Sequence, residues 1–415
     1  MAIYSLVAGI WIAGLAVVFG ILHRRALQRL WREPMLRYPV LIIESDDWGP
    51  GPSADAEALQ RLAQVLGRHR DARGRPATMT LGMLLSAPDT EKIRHAGGRE
   101  YLAVSISELR FGPILAAIRR GTDEGVFSPQ LHGMEHYWPD AVMKASREQE
   151  SVRTWLVQDD VPRNEDLAPA LQSRWIDASI LPSRELQREQ VVAAAVREVE
   201  AFRQVFGVKP AVVVPPTFVW TDATEAAWSD AGVRVVVTPG TRYIARDGSG
   251  RLVGTGEPLY NGETDGSGMV YVVRDDYFEP ALGHRVGSAL AAIEGKSHVG
   301  RPTLLETHRF NFTGPSAQKE DALREIDLLL RSAVERFPSI RFMATAELVS
   351  AMTRADSDLV EGWLVRRIKI WLARAARTRS LRKLAWLSGA ILPVWLAYQA
   401  LDLIGKMLAQ RTGSA

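Results

Sequence analysis

The chain has 415 residues, 47% apolar and 24% charged, which is ordinary globular composition and enough for a large core or two smaller ones. The formal net charge is only +3, and much of the basic excess lies in two blocks beside apolar stretches, 23–37 and 366–383. A nucleic-acid binder would carry that charge on the folded domain among stacking aromatics, a pattern absent here, and the lack of cysteine excludes disulfides and thiolate metal sites.

Residues 3–22 are uncharged and long enough to cross about 30 Å of hydrocarbon as a helix. A secretory signal would place its positive charge before the apolar run; here it follows, as His23, Arg24, Arg25, Arg29 and Arg32. This predicts a transmembrane anchor over 1–23 with the following chain on the cytoplasmic side of the inner membrane. From 38 to 355, strand-like and helix-like stretches alternate. Strands are predicted over 39–45, 78–85, 126–131, 211–214, 233–237, 269–273, 303–307 and 341–343. Helices are predicted over 54–66, 112–120, 185–206, 224–231 and 317–335, with another starting near His284. Residues 140–184 are polar and read as an insertion running over the surface. Such alternation implies a parallel sheet closed, or nearly closed, into a (β/α) barrel, with its chemistry at the carboxyl ends of the strands. The segment 360–383 reads as a basic amphipathic helix in the headgroup layer, and 384–405 as a second transmembrane or membrane-associated helix.

The first predicted strand ends in Asp46-Asp47-Trp48-Gly49. Adjacent carboxylates at a strand exit repel each other, and become favourable if one ligates a cation and the other is held ionised as a base. His132 and His136, four residues apart, would share one helical face and could bind the same ion. The glutamate here, Glu135, precedes the second histidine, so this is not the zincin arrangement.

Ser45-Asp46-Asp47-Trp48-Gly49, His132-x-x-x-His136, Pro215-Pro216 and Thr307-His308, in this order, resemble the polysaccharide deacetylase (NodB-homology, carbohydrate esterase) superfamily. The resemblance implies a distorted or incomplete (β/α) barrel of the polysaccharide deacetylase type, here between N- and C-terminal membrane helices. It also implies a divalent metal, zinc foremost, and removal of acetyl groups from N-acetylated sugars in cell-envelope polysaccharide metabolism. By position, Asp47, His132 and His136 match the metal triad, Asp46 the general base and His308 the general acid. Asp275 or Asp276 would tune that acid, and the backbone at Thr217 matches the oxyanion-binding turn. The family's arginine before the paired prolines is Val214 here, and Thr217 stands where an aromatic is usual, which marks a divergent member.

Trp48 and Trp138 could stack on sugar faces, and Arg309 and Asn311 could contact polar groups of the substrate. The implied partners are an acetylated glycan, lipid-linked sugars among them, and membrane lipid, with no nucleic acid. Two other readings remain open: a catalytically inactive glycan- or partner-binding barrel on the membrane, and a metal-assisted glycosidase using Asp46 with Glu44 or Glu306.

Overall fold

The computed structural model describes residues 10–11, 14, 17–18, 20–387 and 399. The expected anchor over 1–23 and the helix over 384–405 therefore lie largely outside the described residues. Among those described, no helix is long and apolar enough to cross a membrane.

A nine-stranded sheet organises the chain between the two ends. Its strands are β1 (Val40–Trp48), β2 (Met79–Leu84), β3 (Phe127–Gly133), β4 (Val212–Val213), β5 (Val235–Thr238), β6 (Val270–Val273), β7 (Asp276–Tyr277), β8 (Thr303–His308) and β9 (Arg341–Phe342). They run in the order β6-β5-β4-β3-β2-β1-β8-β7, with β9 also on β1, and every pairing is parallel. The edge strands β6 and β7 are separated in sequence only by Arg274 and Asp275, so the chain can span no more than about 11 Å between the two edges. The sheet is therefore curled into an incomplete barrel whose seam is bridged by two residues.

Strand periodicity divides β1 cleanly. Val40 and Ile42 join Val212, Val214, Val235, Val237, Val272 and Leu304 in an apolar cluster inside the barrel, against Leu348, Val349 and Met352 of helix α1 (Thr345–Thr353). Leu41 and Ile43 pack outward in the larger core beneath the surrounding helices. Continuing the inward series, Glu44 and Asp46 come next, and β8 places Glu306 and His308 directly beside them in register. The interior is thus apolar at its base and ionisable at its carboxyl end, where barrel chemistry resides.

The segment 140–184 is not a surface excursion. It holds helix Glu150–Val157 and most of helix Pro139–Glu148, and its Val142, Trp155, Leu156, Leu167 and Leu171 form a small core with Tyr137 and Ile93. Farther along, Arg174 and Trp175 are buried in the main domain, and Trp175 meets Trp228 edge-on at 5.1 Å. The polar composition misleads because the charged residues are concentrated on the segment's outer side.

The basic stretch near the C-terminus also docks on protein. Helix Leu364–Arg377 packs on helix Arg24–Arg32, with Trp371 edge-on to Trp31 at 6.0 Å and its ring N–H donating to Leu27 O at 2.9 Å. Arg374, buried, donates to the carbonyls of Leu30, Glu33, Pro34, Val299 and Gly300. Part of the face expected in the headgroup layer is therefore committed to the domain.

Candidate metal centre

Asp47 occupies an unusual backbone position. The β1–β2 register slips between Ser45 and Trp48, and Asp47 adopts φ 69°, left-handed geometry that a non-glycine residue enters only with strain. Regular alternation would send Asp46 and Asp47 to opposite faces of the sheet. The slip lets both reach the barrel mouth. Gly82 on β2 provides the room, since a Cβ there would strike Asp46 Oδ1.

His132 is the last residue but one of β3, and the expected helical turn from it to His136 does not form. Instead Gly133, at φ 138°, reverses the chain, and residues 134–137 form a bend that brings the two rings to 5.0 Å between centroids. Three contacts lock the bend. Glu135 receives Arg174 Nη1 at 2.6 Å and the Ser86 hydroxyl at 2.6 Å, and Glu198 accepts Met134 N–H at 3.2 Å. Arg174 Nε also reaches Glu198, at 3.0 Å.

The three side chains converge. Asp47 Oδ1 lies 3.5 Å from His132 Nε2 and 3.6 Å from His136 Nε2, and all are buried. Around one ion with bonds of about 2.1 Å, tetrahedral ligand atoms stand about 3.4 Å apart, so the spacing suits a zinc-class cation. The His132 Nδ1–H donates to Val214 O at 2.9 Å, which fixes the tautomer and leaves the buried Nε2 without a hydrogen-bond partner, its lone pair aimed into the cluster. These donors fit a divalent metal and form the one candidate cluster among the described residues.

The charges around it are arranged asymmetrically. Burial would raise the Asp46 pKa, but the Arg274 guanidinium at 2.6 Å, with His132, outweighs that and holds it below the usual carboxylate range. Burial would raise Asp47 too, but His136, His132 and His308 prevail over it and leave this carboxyl depressed as well. Burial and the neighbouring His132 push His136 down to about 4, whereas Asp46 and Asp47 overcome burial at His132 and raise it. Arg274 also meets Glu44 at 2.8 Å and Glu306 at 3.2 Å, and burial raises both of these carboxyls. Within the trio, Asp46 is thus the carboxyl whose charged form the surroundings favour.

On the other flank, His308 Nδ1 is 2.6 Å from Glu279 Oε1, and this contact, prevailing over burial, raises the imidazole to about 10. Here the sequence expectation is corrected. Asp275 and Asp276 pair with Lys296 on the outer side of the seam, and Glu279 is the carboxylate on His308. Asn311, fully buried, donates to Glu279 and to Thr307 Oγ1, so it orients the acid's partner rather than facing a substrate.

A model of glycosyl hydrolase family 57 matches residues 169–307. No protein of curated function matches the chain. Solved structures with similarity include peptidoglycan deacetylase PdaC from Bacillus subtilis, at 10% identity and TM-score 0.35, covering 77% of this chain and 95% of that one. A family 4 carbohydrate esterase from Streptomyces lividans in complex with acetate gives 12% and 0.32, covering 73% and 90%. A 4-alpha-glucanotransferase from Thermococcus litoralis gives 12% and 0.38, covering 77% of this chain and 40% of that one. Likeness at this level assigns no activity.

The remaining sequence candidates divide. Thr217 sits in the turn after Pro215-Pro216 with φ 54°, its hydroxyl 2.7 Å from Ser173 Oγ, and the next ring, Phe218, lies 5.1 Å below the Arg274 guanidinium. Trp48 is wholly buried, stacked on Phe312 and bonded to Ser45 Oγ, which makes it core instead of a sugar platform. Arg309 is buried against Asp55 and Pro50 O. Trp138 lines a separate cavity of about 620 Å³ with Arg174 and Arg197. The sequence reading missed Arg274 and Glu279. The first stands next to the Asp275-Asp276 pair that drew attention, and the second is separated from His308 by 29 residues without a motif.

Proposed function

We propose that the protein is a metal-dependent hydrolase of carbohydrates that removes acetyl groups from N-acetylated sugars. The observation that carries this reading is the convergence of Asp47, His132 and His136 on one point, flanked by an ionised Asp46 and a strongly basic His308. Asp47, His132 and His136 would hold the cation, which when bound polarises a carbonyl and lowers the pKa of water.

The chain's own residues account for the proton movements. Asp46, kept ionised by Arg274, accepts a proton from water on one flank. His308, kept protonated by Glu279, delivers a proton to the departing amine on the other. The Thr217 turn beside Arg274 would supply a backbone N–H to the developing oxyanion. Arg274 fills from across the barrel seam the place left by Val214, so the missing arginine of the motif is no argument against turnover. The envelope pathway, the membrane attachment and the cytoplasmic orientation are part of the same proposal and rest on the apolar ends and their flanking charges.

The glycosyl hydrolase match favours one rival, cleavage of a glycosidic bond by interior carboxylates such as Asp46 and Glu306. Incubating the full chain with N-acetylated oligosaccharides separates the two. Acetate release without new reducing ends is expected, lost in Asp46→Asn while metal is retained; reducing ends without acetate would replace this reading with the rival.

A further inference from the structure

We infer that Asn164, delivered by the 140–184 insertion, is a fourth ligand to the cation held by Asp47, His132 and His136. This rests on the metal-site reading above. Asn164 is 92% buried as a residue; its side-chain amide reaches across 117 residues of sequence, and the amide's only hydrogen bond among the described residues is to Asp47 Oδ1, at 3.5 Å. That oxygen is the one facing both histidines, at 3.5 and 3.6 Å. Three groups therefore surround one carboxylate oxygen at the same distance, the spacing of atoms that share an ion rather than of a strong hydrogen bond.

A half-turn about the terminal side-chain bond exchanges an amide's nitrogen and oxygen, so the position now given to Nδ2 beside Asp47 is equally a position for Oδ1. A neutral amide oxygen is an ordinary ligand for a hard or borderline divalent cation.

The placement is built rather than accidental. Asn164 begins a short turn, Asn164–Asp166, closed by Leu167 N–H on Asn164 O at 3.0 Å. On one side Trp155 donates its ring N–H to Arg163 O at 2.7 Å; on the other Leu167 is buried in the insertion's small core. The insertion thus acts as a cap that completes the coordination sphere. Because an amide is the weakest donor of the four, it is the ligand that a substrate oxygen would exchange with.

Zinc affinity of the full chain, measured by chelator competition, tests this with three proteins. Wild type is expected to bind one zinc, Asn164→Ala at least about 10-fold more weakly, and Asn164→Asp at least as tightly as wild type, because the carboxylate supplies an oxygen ligand. Unchanged affinity in Asn164→Ala overturns the inference while leaving the three-ligand site intact. Equal weakening in Ala and Asp overturns it too, since an amide that only donates to Asp47 would become a repelling carboxylate. Failure of wild type to bind zinc overturns the inference together with the metal-site reading beneath it.

Discussion

Asp46 and Asp47 are neighbours in the chain and opposites in their surroundings. Asp46 leans on a guanidinium, and Asp47 on two imidazoles. A left-handed residue costs on the order of 1–3 kcal/mol, and here that strain is what allows both carboxylates to serve one site. Asp46→Asn should retain metal and lose acetate release by about 10²–10⁴-fold, the range of a lost general base. Glu279 gives a second, independent readout. His308 has its pKa raised to about 10, so it is charged below that pH and loses its proton above it. The stability this pairing contributes is fully present below about 6.5, the ordinary histidine value, and is lost as pH rises through about 10. In Glu279→Gln the alkaline limb of the pH–rate profile should fall toward about 6.5; an unmoved limb would remove His308 from the role of acid.

At the scale of elements, the seam between β6 and β7 matters most. Arg274 leaves β6, crosses the gap and places one cation among Glu44, Asp46 and Glu306. Removing one partner of a buried ionic group is strongly destabilising, so Arg274→Met should lose about 3–5 kcal/mol in urea unfolding, with acid-dependent recovery as the orphaned carboxylates protonate. Gly82→Ala, which drives a methyl into Asp46, should lower turnover while leaving zinc affinity near wild type. The strands and most helices were legible in the sequence, because apolar β-branched runs and 3.6-residue periodicity report directly on burial. The Asp46-Asp47 and His-x-x-x-His pairs were legible because both occur at strand ends. Arg274, Glu279 and Asn164 were not, since each reaches the site through pairing of distant strands or folding of an insertion, and neither leaves a local period. The His132–His136 spacing was read as helical when Gly133 turns the chain instead; at a range of four residues a helix and a glycine bend look alike in sequence.

Across the whole molecule, two helices far apart in the chain meet beneath the barrel. Helix Arg24–Arg32 and helix Leu364–Arg377 interlock through Trp31, Trp371 and Arg374, on the domain side of the two apolar segments predicted to be anchors. A reporter inserted near Ser53 should read cytoplasmic, and a periplasmic signal there would reverse the proposed orientation. The most direct measurement is metal content of the purified full chain by elemental analysis, beside Asp47→Ala and His132→Ala. About one divalent ion per chain in wild type, absent from both variants with their fold intact by circular dichroism, is the expected result. A folded wild type without metal, or variants that keep it, would contradict the account.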